Sequence, residues 1–277
     1  MNTNKIKCDL CPRNCELDMG QVGYCKARKN EDGKIKSLSY GKIISIGLDP
    51  IEKKPLKYFH PGTQILSVGT FGCNMNCPFC QNHELARAGD GDLRSHDVSP
   101  EYLRDLAVGL VGRGNIGIAF TYNEPMINFE YVRDTFELAL RDDLETVLVT
   151  NGQVTDEYLE KILPLVKALN IDLKTFSREK YKKLGGDLDA TLNTIKKSAQ
   201  NSHVEITTLV VPKISDNLEE FKKEVDFISE IDPSIPLHLT RYFPMYKYEE
   251  EMTSLETLEE MKKIAEEKLE HVILGNV

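Results

Sequence analysis

Residues 64–80, QILSVGTFGCNMNCPFC, run from a strand-like apolar segment into three cysteines, Cys73, Cys77 and Cys80, spaced C-x3-C-x2-C. Positions i, i+4 and i+7 also share one face of a helix. Here Pro78 lies inside the run and Gly72, Asn74 and Asn76 surround it, so a regular helix is costly. A looped backbone instead aims three thiolates at one centre and brings its amides close to the sulfurs. Soft thiolates select iron–sulfur or zinc centres. Three ligands leave one coordination position open for chemistry, whereas a structural zinc site closes with four.

Working outward, NIGIAFT, TVLVTNG, ALNIDLK, HVEITTLVVP and SIPLHLTRYFP read as further strands, and HVILGNV as a last short one. Between them lie segments of helical spacing, among them Pro100 to Val111 and MINFEYVRDTFELAL. Strand and helix alternating at this interval mean βαβ units on a parallel sheet. The expected fold is α/β, a full or partial (β/α) parallel barrel of about six strands. Residues 1–30 form a cysteine-rich N-terminal metal-binding extension, 31–63 a ribbon and loop leading in, and 64–277 the barrel. The chemically distinctive residues gather at strand ends: Cys73, then Thr121, Asn123 and Glu124, then Thr150, Asn151 and Gly152, then Asp172 and Lys174, with His238, Thr240 and Arg241 on and just after the sixth strand. A parallel α/β barrel builds its site at those carboxyl ends.

Composition narrows the function class. The chain has 277 residues and a formal net charge of −9, which argues against a nucleic-acid partner. No apolar run approaches a membrane span, and MNTNKIKCDL lacks the apolar stretch of a secretory signal, so a cytoplasmic protein is expected. Seven cysteines cannot all pair internally, and they fall in two groups with none after Cys80. The first group, Cys8, Cys11, Cys15 and Cys25, has spacing C-x2-C-x3-C-x9-C and suits a four-sulfur site for structural zinc, rubredoxin-like iron or a second Fe–S cluster.

At this point the sequence resembles a known family. GCNMNCPFC is similar to the loop of the radical S-adenosylmethionine (SAM) enzymes. CDLCPRNCELDMGQVGYC, DPIEKKPL, FTYNEP, VTNG and DLK, in that order, resemble its AmmeMemoRadiSam-type branch, related to the pyruvate formate-lyase activating enzymes. The resemblance implies a [4Fe-4S] cluster on Cys73, Cys77 and Cys80, with SAM on the fourth iron. One-electron reduction then cleaves SAM to methionine and a 5′-deoxyadenosyl radical that takes hydrogen from a substrate.

It further implies that Phe79 packs against adenine and that Thr121, Asn123 and Glu124 stand where the family's GGE-type motif meets the SAM amino group, here without its two glycines. Thr150, Asn151 and Gly152 resemble the ribose-side loop, and Asp172 and Lys174 a pair near SAM and substrate. Each has an ordinary alternative: core packing for Phe79, a helix N-terminal carboxylate for Glu124, a capped turn for the T-N-G run, a local ion pair for Asp172 and Lys174. His238 is a catalytic candidate or a neutral core histidine, and Arg241 a clamp for a carboxylate or phosphate or a surface charge. Implied partners are a flavodoxin- or ferredoxin-type electron donor, a protein substrate as in glycyl-radical activation, and Memo and AMMECR-type proteins. A non-catalytic Fe–S or zinc redox sensor or scaffold is the alternative function.

Overall fold

The computed structural model describes residues 5–277; residues 1–4, the start of the expected N-terminal extension, lie outside the described residues. The extension is built of short pieces: β1 (Ile6–Lys7) pairs antiparallel with β2 (Glu16–Leu17), and the hairpin of β3 (Arg28–Glu31) with β4 (Lys34–Ser37) straddles the expected boundary at residue 30. β5 (Lys42–Ile43) leads into β6 (Ser45–Pro50) and β7 (Gln64–Gly69). After the cysteine loop come α1 (His83–Ala86) and β8 (His96–Asp97), which pairs back onto β5.

From there helix and strand alternate: α2 (Pro100–Gly109), β9 (Asn115–Phe120), α3 (Phe129–Arg141), β10 (Glu145–Thr150), α4 (Asp156–Ile162) and β11 (Ala168–Asp172). Then follow α5 (Arg178–Lys183), α6 (Leu188–Ala199), β12 (His203–Val210), α7 (Leu218–Ile231), β13 (Leu237–Arg241), α8 (Leu255–Glu266) and β14 (Val272–Gly275). Local sequence sets several helix starts. Ser99, Asn217 and Ser254 each accept a hydrogen bond from a backbone N–H in the first turn of α2, α7 and α8, which satisfies a donor that the helix itself leaves free.

The central sheet has the order β6-β7-β9-β10-β11-β12-β13-β14. β6 is antiparallel to β7, and every later pair is parallel. Right-handed crossovers between sequential parallel strands put the helices on one face, so that face is apolar: Val68, Phe120, Leu148, Leu169, Ile206 and Leu239 join the helices in the main core. The opposite face curls around an interior cavity reached by residues from both ends of the order, Lys53 just after β6 and Gly275 of β14. The architecture is therefore a partial barrel. Seven parallel strands, where about six were expected, reflect the late four-residue β14, and β6 adds an antiparallel edge from within the ribbon of residues 31–63.

The segment between β6 and β7 closes the amino end of the strands. Ile51 and Leu56, both 0% exposed, pack with Ile65, Ala119, Val147 and Ala168 in a second, inner cluster. Glu205 on β12 accepts the backbone N–H groups of Lys57 at 2.9 Å and Tyr58 at 2.7 Å, and Asn170 Nδ2 donates to Pro55 O at 2.8 Å. The run IEKKPLK, whose sequence suits either a grip on a phosphate or a partner or a solvent-exposed ribbon, is thus the floor of the barrel. Among the described residues no helix is long and apolar enough to cross a membrane.

Candidate functional site

The loop after β7 is held from three sides. Arg87 Nη1 donates to Cys73 O at 3.3 Å and Met75 O at 2.8 Å. Asn123 accepts from Thr70 N at 3.0 Å and donates to Thr70 Oγ1 and Gly72 O, both at 3.1 Å. Asn76 N donates to Leu184 O at 2.8 Å. Gly72 has φ +89°, and a Cβ there would stand 2.4 Å from Cys25 O, so both the left-handed turn and the contact with the N-terminal extension need glycine.

Cys73, Cys77 and Cys80 all open onto a cavity of about 700 Å³ inside the curled sheet. Met75 N at 3.4 Å and Asn151 Nδ2 at 3.6 Å point at the Cys73 sulfur. Burial pushes all three thiols up, Cys77 to about 12 against the opposing pull of Lys174. Neutral thiols in such a place call for a bound positive centre to become thiolates. Among the described residues no three Cys, His, Asp or Glu side chains stand at the spacing of a single metal ion. Three sulfurs spread along a cavity edge instead suit a polynuclear cluster, whose ligands sit on different irons.

The same cavity is lined by Phe79, Thr121, Asn123, Glu124, Asn151, Asp172, Lys174 and His238, which come from the cysteine loop and the ends of four strands. Glu124 accepts from Thr150 Oγ1 at 2.7 Å, Asn151 N at 2.8 Å and Met126 N at 3.0 Å. Burial pushes its carboxyl up to about 7, against those three hydrogen bonds, which favour the charged form. It therefore caps the turn that begins at Pro125 while also facing the cavity. Lys174 Nζ lies 2.9 Å from Asp172 Oδ2. Burial works against its ammonium, but the Asp172 carboxylate and Cys77 outweigh that and hold the lysine above its ordinary value.

A radical SAM superfamily model matches residues 67–228. The chain belongs to the radical SAM superfamily. It is 37% identical over its whole length to an uncharacterized protein of Methanocaldococcus jannaschii, of which it covers 83%. It is 26% identical to the pyruvate formate-lyase 1-activating enzyme of Escherichia coli over 60% of this chain and 71% of that one. Streptococcus suis SuiB bound to S-adenosylmethionine shares the fold, with a TM-score of 0.55 and 16% identity over 73% of this chain and 47% of that one. The chain is thus an enzyme of radical SAM type, and the family implies a [4Fe-4S] cluster and SAM. Three cavity-facing cysteines with N–H donors aimed at one sulfur, and room beside them for a nucleoside, fit that pair of groups.

Several expected site residues stand elsewhere. Arg241 does not line the cavity: its Nε donates to Thr253 O at 2.7 Å and its guanidinium lies 5.2 Å from the Phe243 ring centroid. Side chains alternate along β13, and His238 and Thr240 take the inward positions. The same alternation puts Val149 and Asn151 on the wall and leaves Thr150 and Gly152 behind it, Thr150 bonding Glu124 and Gly152 O accepting from Thr194. His238 faces the cavity, but its Nε2 is 2.6 Å from Glu205 Oε2. Phe79 both lines the cavity and packs in the main core, edge-on to Tyr248 at 6.2 Å. The N-terminal cysteines surround a separate small cavity.

Sequence reasoning missed a group in the cavity wall. Lys54, 2% exposed, reaches Asp49 Oδ2 at 2.9 Å and lies 4.8 Å from the Tyr122 ring centroid, and Tyr122 Oη donates to the same Asp49 oxygen at 2.9 Å. Tyr122 adopts φ 72°, and its ring occupies the space beside Gly69, where a Cβ would come within 2.8 Å of it. The signal for Lys54 was DPIEKKPL; nothing in the sequence joined it to TYNEP.

Proposed function

We propose that this enzyme binds SAM in the 700 Å³ cavity against a [4Fe-4S] cluster on Cys73, Cys77 and Cys80, and uses the pair to abstract hydrogen from a protein substrate. The observation that carries this reading is the convergence of those thiols with Glu124, Asn151, Asp172 and Lys174 on one cavity. When bound, cluster and SAM supply reductive cleavage to methionine and a 5′-deoxyadenosyl radical.

The chain's own residues bind and orient. Lys174 has ammonium donors beyond the one turned to Asp172 and holds the SAM carboxylate. Glu124 accepts three hydrogen bonds and, with about four lone-pair sites, keeps capacity for the SAM ammonium. Asn151 and Met75 stabilise the Cys73 thiolate through N–H donors. Phe79 offers an apolar face to adenine. The floor segment, sealed by Glu205, excludes water from the amino end of the barrel.

A protein substrate is supported by the relatives, which carry the names pyruvate formate-lyase 1-activating enzyme and (2S)-3-sulfopropanediol dehydratase activating enzyme; a flavodoxin- or ferredoxin-type electron donor rests on the sequence resemblance alone. The N-terminal cysteines hold a second metal, zinc, iron or Fe–S. Association with Memo and AMMECR-type proteins rests on the sequence resemblance alone, and a cytoplasmic setting on the cysteine usage. A non-catalytic scaffold leaves the lined cavity without a use.

The test is SAM binding to the anaerobically reconstituted protein, read by equilibrium dialysis and by the electron paramagnetic resonance signal of the reduced cluster. The expected result is saturable binding that alters the signal and is lost in Cys77→Ala. A loaded cluster that leaves SAM unbound contradicts the reading.

A further inference from the structure

Two arginines grip the outer side of the cysteine loop, and among the described residues neither pairs with a carboxylate. Arg13 donates through Nε to Asn74 O at 2.9 Å and through Nη2 to Gly185 O at 2.7 Å. Arg87 Nη1 donates to Met75 O at 2.8 Å and to Cys73 O at 3.3 Å. Together they take the carbonyls of three successive residues, 73 to 75. Both guanidiniums also lie against the ring of Tyr24, Arg13 Cζ at 3.4 Å from its centroid and Arg87 Cζ at 5.3 Å. Tyr24 stands in a tight turn of the N-terminal extension, closed by Lys26 N donating to Gly23 O at 2.9 Å, and stays 38% exposed.

The two ends of a planar trans peptide unit point opposite ways. In the unit joining Asn74 to Met75, the carbonyl accepts from Arg13 while the amide points at Cys73 Sγ from 3.4 Å. Drawing the carbonyl outward to a cation thus turns the amide inward to the sulfur. Gly185 leaves Arg13 its place: its φ is +83°, and a Cβ there would collide with Arg13 Nη2. The tyrosine ring attracts both cations, but two guanidiniums beside one ring repel each other. Three thiolates on a [4Fe-4S] core give a net charge of about −1, and about −2 after one-electron reduction. Fixed cations beside such a centre favour the more negative redox state.

We propose that Arg13 and Arg87, held together by Tyr24, are positioning residues that turn the loop's amides toward its sulfurs, and that their charge favours the reduced cluster. The electrostatic half rests on the reading that Cys73, Cys77 and Cys80 hold a [4Fe-4S] cluster; the positioning half does not. Arg13 and Tyr24 both come from the N-terminal extension, which thereby acts on the cysteine loop whatever its own cysteines hold.

Reduction potentials of the reconstituted full-length protein are measured by titration with electron paramagnetic resonance, for wild type, Arg13→Gln, Arg87→Gln and Arg87→Lys. Each glutamine variant is expected to lower the ratio of reduced to oxidised cluster at fixed potential by at least about threefold, a downward shift of about 28 mV for one electron. Arg87→Lys keeps the charge and is expected to recover most of that shift. Unchanged potentials in both glutamine variants overturn the electrostatic role. Amide hydrogen exchange on the metal-free chain tests positioning separately. Exchange across residues 73–77 is expected to rise at least about tenfold in Arg87→Gln and in Tyr24→Leu, while α7 keeps its wild-type protection. Unchanged exchange in both variants overturns the positioning role. If the glutamine variants misfold, Tyr24→Leu, at a partly exposed residue, decides both roles: potential and exchange that match wild type overturn the proposal. A wild type that takes up no cluster contradicts the proposed function and removes the electrostatic role with it, and the exchange result then decides the positioning role by itself.

Discussion

The Asn151 side-chain amide lies 3.6 Å from Cys73 Sγ and ties the end of β10 to the cysteine loop through Asn74 Oδ1 at 3.0 Å. One nitrogen thus touches the proposed cluster ligand and the segment that presents it. Asn151→Ala is expected to lower the reduction potential of the reconstituted cluster, because a sulfur with fewer N–H donors favours the oxidised form. Stability is expected to fall by about 1–3 kcal/mol as Asn74 loses its partner. Potentiometric titration and urea unfolding check the two effects separately.

Lys174 and Asp172 form an ion pair within the cavity wall. Lys174→Met strands the Asp172 carboxylate and removes the proposed partner of the SAM carboxylate, and SAM affinity is expected to fall at least about tenfold, the cost of roughly 1.4 kcal/mol. Lys174→Arg restores part of the affinity if charge is the requirement. Equilibrium dialysis with both variants decides, and unchanged binding in Lys174→Met removes this residue from the SAM site.

Glu205, 0% exposed, is penalised by burial but accepts from His203, His238, Lys57 N and Tyr58 N, and these bonds push its carboxyl from 4.5 down to about 2. A carboxyl depressed in the folded state contributes stability above its unfolded value and loses it as pH falls through the folded one. Wild type is therefore expected to exceed Glu205→Gln by on the order of 2 kcal/mol at pH 7. The gap narrows as pH falls below about 4.5 towards 2. Urea midpoints of both proteins at about pH 7, 5.5 and 4 follow that trend, and a gap that grows on acidification refutes the floor assignment.

Gly72 and Gly91 both have left-handed φ, +89° and +85°, yet a methyl added at Gly91 meets nothing within 4 Å, whereas one added at Gly72 stands 2.4 Å from Cys25 O. Gly91→Ala is expected to cost about 1 kcal/mol from backbone conformation alone. Gly72→Ala is expected to cost at least about 2 kcal/mol more, from collision with backbone that cannot yield, and to weaken cluster retention. Thermal unfolding of the two variants separates the contributions.

The alternation of strand and helix and the clustering of polar residues at strand ends were legible because both are local patterns. Which of two adjacent residues faces the cavity was not. Arg241 and His238 both belong to β13, and only the register against β12 and β14 decides that 238 and 240 point inward. The Asp49–Lys54–Tyr122 group was hidden for a different reason, since Tyr122 reaches the other two only after β7 and β9 pair. Arg28 reads as one charge among many in a basic run, and its burial appears only when α3 brings Glu130 to it.

The most direct test of the central claim is 5′-deoxyadenosine formation, measured by mass spectrometry after anaerobic reconstitution with iron and sulfide and addition of SAM and dithionite. The account predicts 5′-deoxyadenosine and methionine in equal amounts from wild type and none above background from Cys77→Ala. A wild-type protein that holds its cluster and SAM yet forms no more than Cys77→Ala, with dithionite or with reduced flavodoxin, contradicts it.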